Sequence, residues 1–281
     1  MVNKARRELF HLPVVSTAIA LNYEIKKTRH LPALPSLSEQ DGLILDEIRQ
    51  TGVYMTNINQ MDIPHTSAML ATAEQFFRNP APFFIDPQRQ SIPNRILQQY
   101  PDLYLWGLEE RLLALVENYL ALPVLYLGAE VKIETANGLS AGVRQWHVDI
   151  EDRRMIKIIL YLNDVELDGG PFEYIPVDET QIFVQTTGYR AGLIEDEVMS
   201  RSVPPSRWIA CWGQKYTVVI TDPCRVLHRV KVPSQRDRHS VTFNYCSRFP
   251  FEFRSKHALK CNAEVLARLS ARQLACAIRE S

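Results

Sequence analysis

Apolar residues recur at helical spacing at Leu43, Ile44 and Ile48, behind a Ser38 with Asp41 three places on that resembles a capping box. This predicts a helix, followed by Gly52 and a short strand from Val53 to Ile58. The same period predicts a second helix over about 66–77. A longer one is predicted over about 102–122, with Leu105, Leu108, Leu112, Leu115 and Tyr119 along its apolar face. From Val124 onward the period shortens to strands: 124–133, 144–149, 155–162, 172–175, 215–220, 226–232 and 238–246. A final helix is predicted over about 258–278. Residues 1–37 read as an arm with strand character that ends in the Pro-punctuated run 31–35. Between Gln185 and Pro205 there is neither a clean period nor core density, so this segment reads as a lid over a barrel mouth or a long surface loop. Helices followed by closely spaced strands predict an α+β chain, mainly β in its core: an antiparallel sandwich or barrel with helices packed on one side.

Composition narrows the class. With 281 residues, 46% hydrophobic and 23% charged, the chain is long enough for one embellished domain, here 38–281 with a β core at about 124–249. Lys plus Arg and Asp plus Glu are 32 each, so no basic surplus points to nucleic acid or an anionic membrane, and a small-molecule or protein substrate is expected. No apolar run reaches the ~20 residues of a membrane span. Five widely spaced cysteines without a C-x-x-C pair argue against a disulfide framework or a structural zinc, and favour a reducing cytoplasm. The basic start, apolar stretch and Ala18-Ile19-Ala20 triplet carry the pattern of an export signal, diluted by His11, Pro13, Ser16 and Thr17.

Candidate chemistry begins at Trp146-His147-Val148-Asp149. Alternation along a strand sends His147 and Asp149 to one face, where both could hold one ion. With seven histidines and 32 acidic residues, an H-x-D pair arises by chance about half the time, so the motif decides little by itself. His228, 81 positions later, could be a third ligand or a satisfied core histidine. Ten positions further, Arg238-His239-Ser240 offers a guanidinium and a hydroxyl on one strand face, a fork for one carboxylate. A hairpin through 233–237 would bring this pair back beside His228, provided opposed residue numbers sum to an even value.

Together these residues resemble the Fe(II)/2-oxoglutarate-dependent dioxygenases, whose pattern is H-x-D, a distal His, and R-x-S about ten residues beyond it. The phytanoyl-CoA-hydroxylase-like branch is the most similar, through the Gly-containing turn before Trp-His-x-Asp (141–149), the strand 158–162 with Asn163-Asp164, and Asp168-Gly169-Gly170-Pro171-Phe172 leading to Ile175-Pro176. The resemblance spans roughly residues 38–250 and extends, with no residue to quote for it, to tailoring hydroxylases of natural products. It implies a double-stranded β-helix (jelly roll). It also implies Fe(II) held by His147, Asp149 and His228, 2-oxoglutarate held at its far carboxylate by Arg238 and Ser240, and O2 as the other cosubstrate. The implied reaction couples decarboxylation of 2-oxoglutarate to hydroxylation of a small molecule. Asp149 favours that outcome over halogenation, because halogenating relatives usually carry a small residue there.

Lys132 and Glu134 are candidates for further 2-oxoglutarate contacts, with a solvated strand face as the competing reading. Lys157 and Tyr161 read as packing or edge residues, and Trp146, Trp208 and Trp212 are candidates for the substrate pocket. A mainly apolar pocket would suit an acyl or terpenoid substrate, whereas Glu195, Asp196 and Glu197 would suit a cationic one. The competing classes are a peptide or protein hydroxylase on the same site and a non-catalytic jelly-roll binding module.

Overall fold

The computed structural model describes residues 13–78, 99–250 and 263–278. Helix α1 (Pro13–His30) replaces the strand expected in the arm. Its Tyr23 ring lies 4.8 Å from the Arg153 guanidinium, and His30 Nε2 lies 2.8 Å from Glu117. The uncharged stretch Val14–Leu21 carries apolar residues without the strict alternation a half-buried strand needs, so the long helix wins.

Helix α2 (Glu39–Thr51) starts where Ser38 Oγ accepts from Asp41 N at 3.1 Å, buries Ile44, Leu45 and Ile48, and ends at Gly52 with φ +87°. A Cβ on Gly52 would fall 2.3 Å from Val226, so only glycine serves both the left-handed cap and the close approach. Strand β1 (Val53–Asn57) and α3 (Thr66–Arg78) follow. The single helix expected over 102–122 is two, α4 (Pro101–Trp106) and α5 (Glu110–Leu120). Between them the Tyr126 ring lies against Gly107, where a Cβ would meet its hydroxyl at 2.2 Å.

The strands are β2 (Val124–Glu134), β3 (Ile156–Tyr161), β4 (Phe172–Tyr174), β5 (Ile209–Cys211), β6 (Thr217–Thr221), β7 (His228–Val230) and β8 (Arg238–Ser247). They form two antiparallel sheets, β1-β6-β3-β8-β2 and β5-β4-β7. One face of the large sheet, with Val131, Ile156, Ile158, Leu160, Val241 and Phe243, merges with the helices into the main apolar core. The other face meets the small sheet, where Ile159, Tyr161 and Val219 pack on Phe172, Tyr174 and Cys211. Two facing antiparallel sheets with helices on one side are the jelly-roll arrangement.

Further expectations change. The hairpin predicted through 233–237 does not form: β7 pairs with β4, whereas β8 pairs with β2 and β3, so the chain crosses between sheets. The strand expected over 144–149 is a 3-10 turn (Gly142–Arg144) followed by two isolated bridges, Trp146 to Ile194 and His147 to His228. The segment 185–205 holds the end of α6 (Val177–Thr187) and the short α7 (Asp196–Met199), and it does have core density, since Met199 and Val203 are buried with Trp146. The predicted C-terminal helix appears as α8 (Ala263–Ala267) and α9 (Ala271–Ala277), with its first residues, 258–262, outside the described residues. Residues 1–12 of the export-like pattern are also outside them. Among the described residues no helix is long and apolar enough to cross a membrane.

Candidate metal centre

His147 and His228 exchange two backbone hydrogen bonds, at 3.0 and 2.9 Å, which sets their imidazoles 4.3 Å apart between centroids. Asp149 is held next to them by its own N–H, which donates to Pro223 O at 2.9 Å. Each histidine presents Nδ1 to a backbone carbonyl two residues back, His147 to Gln145 at 2.8 Å and His228 to Val226 at 3.1 Å. A carbonyl oxygen can only accept a hydrogen bond, so Nδ1 carries the proton and donates it, and Nε2 keeps its lone pair. Both Nε2 atoms then point at one oxygen, Asp149 Oδ1, at 3.8 and 3.9 Å. The three ligand atoms lie within 4.8 Å of one another, and among the described residues no other group of three His, Cys, Asp or Glu side chains converges in this way.

The electrostatics keep the ligands ready for a cation. Burial pushes the His228 imidazole down to about 3, with His147 adding to the shift, and burial also lowers His147. Burial alone would raise the Asp149 carboxyl, but Lys157 and the two imidazoles hold it well below the usual carboxylate range. Lys157 Nζ forms an ion pair with Asp149 Oδ2, the oxygen turned away from the histidines. Burial would lower the Lys157 ammonium, yet Asp149 raises it above its ordinary value. The lysine expected to be packing or edge is thus part of the site. Its signal in the sequence is the lone charge within Met155-Ile156-Lys157-Ile158-Ile159-Leu160-Tyr161, because a lysine at a buried strand position needs a carboxylate.

Arg238 and Ser240 approach from the opposite sheet. Ser240 stands directly across from Tyr161 on one side and from Lys132 on the other, and Glu134 stands across from Arg238. Period-two alternation therefore puts Glu130, Lys132, Glu134, Lys157, Tyr161, Arg238, Ser240, Thr242 and Asn244 on the inner face, including the Lys132 and Glu134 that were candidates. Arg238 donates to Gly170 O at 2.7 Å and lies 3.9 Å from Glu134, which Arg144 Nε also engages at 3.3 Å. Arg238 Nε and Ser240 Oγ are buried with no hydrogen-bond partner in the protein. Two orphaned buried groups side by side, one of them cationic, suit an acceptor such as a carboxylate. A path of contacts joins this pair to the histidines: the Arg238 guanidinium lies 5.7 Å from the Tyr161 ring, Tyr161 Oη accepts from Phe172 N at 2.9 Å, and Phe172 stacks on His228 at 5.3 Å.

No protein-family model matches the chain, and no curated protein matches it. Among solved structures it is similar to HygX from Streptomyces hygroscopicus with nickel and 2-oxoglutarate bound, at 16% identity and TM-score 0.51, over 76% of this chain and 89% of HygX. It is similar to EctD from S. alaskensis with bound Fe at 17% identity and TM-score 0.53, over 79% of this chain and 83% of EctD. For EvdO2 from Micromonospora carbonacea var. aurantiaca the values are 15% and 0.51, over 78% of this chain and 94% of EvdO2. The chain shares their fold.

Within the fold shared with HygX and EctD, the three candidate tryptophans have different surroundings. Trp146 is fully buried and donates from Nε1 to Asp196 at 3.1 Å, with Trp208 edge-on at 4.9 Å. The Arg229 guanidinium lies over both rings, at 4.6 and 5.2 Å, and bonds Glu173 at 2.7 Å and Asp196. Both rings therefore fasten the 188–205 segment to the residues next to the two histidines. Trp212 is 59% exposed beyond β5. A cavity of about 330 Å³ opens beside this region, lined by residues that include Val148, Gln181, Val184, Tyr189, Arg190 and Arg225.

Proposed function

We propose that the chain is an Fe(II)- and 2-oxoglutarate-dependent oxygenase that hydroxylates an unactivated C–H bond of a small molecule. The observation that carries this reading is the convergence of His147, Asp149 and His228 on one point, facing the orphaned Arg238 Nε and Ser240 Oγ from the other sheet. Two neutral imidazoles and one carboxylate are the donor set of non-haem Fe(II) sites with open positions. When bound, the iron supplies the redox chemistry that couples O2 and loss of CO2 from 2-oxoglutarate to oxidation of the substrate. Arg238 and Ser240 grip the far carboxylate of the cosubstrate, and Tyr161 and Phe172 pack in the apolar cluster between the sheets, with Phe172 stacked on His228.

The phytanoyl-CoA-hydroxylase-like branch and a place in secondary metabolism belong to the same proposal. The turn 168–172 supports the branch, since it delivers Gly170 O to Arg238 and the Phe172 ring to His228. Asp149 supports hydroxylation over halogenation. A cavity of about 330 Å³ suits a free small molecule, being within the ~300–1,000 Å³ of ordinary ligand pockets. Arginines rather than carboxylates among its lining residues, and an Asp196 engaged by Arg229 and Trp146, favour an apolar or anionic substrate over a cationic one. Of the three tryptophans, Trp212 is the most exposed and Trp208 is half-buried, and neither is among the residues lining the cavity. Thiols at Cys211, Cys224 and Cys276, with no disulfide among the described residues, fit a reducing cytoplasm.

The test is succinate formation from 2-oxoglutarate in air with Fe(II) and a reductant, with apolar carboxylic acids and amines offered as substrates. The reading expects slow turnover even without substrate, stimulation by the acids, and loss of more than tenfold in His228→Ala. Succinate formation equal in parent and His228→Ala would contradict it.

A further inference from the structure

The ion pair between Lys157 and Asp149 has a charge consequence that the metal-ligand pattern alone does not contain. Asp149 turns Oδ1 toward both histidines and Oδ2 toward Lys157. An ammonium on Oδ2 occupies the oxygen that a two-oxygen grip on a cation would need, so Oδ1 alone is left for the ion. The two imidazoles are neutral and Asp149 is balanced by Lys157, so the ligand set together with its nearest cation has zero charge where a bare His-His-Asp set has one negative charge. A divalent ion entering this buried place would leave two positive charges uncompensated, and a dianion, one of whose carboxylates meets Arg238, would offset part of them.

We propose that Lys157 is a positioning residue that holds Asp149 to one-oxygen ligation and makes tight metal binding conditional on the dianionic cosubstrate. The proposal rests on the metal-site reading above and adds a coupling to it. By linkage the coupling is reciprocal: whatever factor 2-oxoglutarate adds to metal affinity, the metal adds to 2-oxoglutarate affinity. Lys157 lies on β3, on the same inner face as Ser240 and Arg238 of the paired strand β8, so one sheet face carries both the clamp and the charge.

The test measures Mn(II) affinity, from the electron-spin signal of the free ion, with and without saturating 2-oxoglutarate. It compares the parent, Lys157→Arg, Lys157→Gln and Lys157→Met. Arginine keeps charge and donors, glutamine keeps a donor without charge, and methionine keeps length alone. A like charge about 4 Å from a divalent ion at an effective dielectric near 20 opposes its binding by several powers of ten before water and mobile ions offset part of it. The expectation is therefore that Lys157→Gln binds Mn(II) alone at least about tenfold more tightly than the parent, that its gain from 2-oxoglutarate shrinks by the same factor, and that Lys157→Arg restores both. Lys157→Met should lose coupling in the same direction, and thermal unfolding shows whether each variant is folded; a misfolded Lys157→Met leaves the decision to Lys157→Gln. Equal affinities and equal gains in parent and Lys157→Gln, with Mn(II) binding still abolished by His228→Ala, would overturn the role of Lys157 and leave the metal site standing. Mn(II) binding that ignores His228→Ala would overturn both.

Discussion

Asp222 shows how a single buried carboxylate serves the site from a distance. It accepts hydrogen bonds from Tyr119 Oη at 2.6 Å, Cys224 N at 3.1 Å and Met155 N at 3.3 Å, at the start of the turn whose Pro223 carbonyl receives Asp149 N. Burial pushes its carboxyl up to about 6. The folded state thus keeps a proton that the unfolded chain releases between about pH 4 and pH 6, and the stability due to this proton is full below about 4 and lost as pH rises through about 6. Asp222→Asn should therefore become less costly, relative to the parent, by roughly 2–3 kcal/mol between pH 4 and pH 7.5, measured as denaturant midpoints. A deficit independent of pH would contradict this. Ser240→Ala makes the opposite point about a group with no protein partner: it should change stability by less than about 1 kcal/mol while weakening 2-oxoglutarate several-fold, read from the concentration dependence of succinate formation. Arg238→Met should weaken it by about tenfold or more with Mn(II) binding alone preserved. That His147, Asp149 and His228 come together was reached from the sequence through the resemblance, because the spacing of H-x-D and a distal His decides little by itself. The role of Lys157 was not reached, because its meaning depends on a carboxylate from a segment that is not a neighbouring strand.

At the scale of elements, the segment 188–205 is fastened by Arg229, which neighbours His228, and by Trp146, which neighbours His147. Arg229 and Glu173 are both 4% exposed, so removing the guanidinium strands a buried carboxylate that Lys231, 3.7 Å away, only partly compensates. Arg229→Met should cost about 3 kcal/mol and speed trypsin cleavage at Arg190 and Arg201, and adding Glu173→Gln should recover part of the stability. Unchanged cleavage would show that the fastening lies elsewhere. Periodicity located most helices and strands, yet it erred where tertiary contact decides. The helix that the apolar stripe continues through is interrupted at Glu109, whose ψ of 136° leaves the helical region, and Tyr126 fills the space beside Gly107 that a Cβ would need. The hairpin expected between His228 and Arg238 is a crossover between sheets, since strand partners are chosen by the whole β core and not by chain proximity. The parity condition on a hairpin register consequently does not apply, and Arg238 and Ser240 lie on the sheet opposite His228.

For the whole molecule, the two sheets and the helical layer divide the work. One face of the large sheet is apolar and carries stability, whereas the other gathers cations, carboxylates and hydroxyls that an ordinary core would exclude. That asymmetry was readable strand by strand as alternation, but the pairing of sheets that turns it into a site was reached only through resemblance. The most direct measurement of the central claim is the visible absorption of the protein on anaerobic addition of Fe(II) and then 2-oxoglutarate. A charge-transfer band that needs both additions, and that is absent in His228→Ala and weakened in Arg238→Met, is the predicted result. No band in the folded parent protein, or one that persists in His228→Ala, would contradict the account.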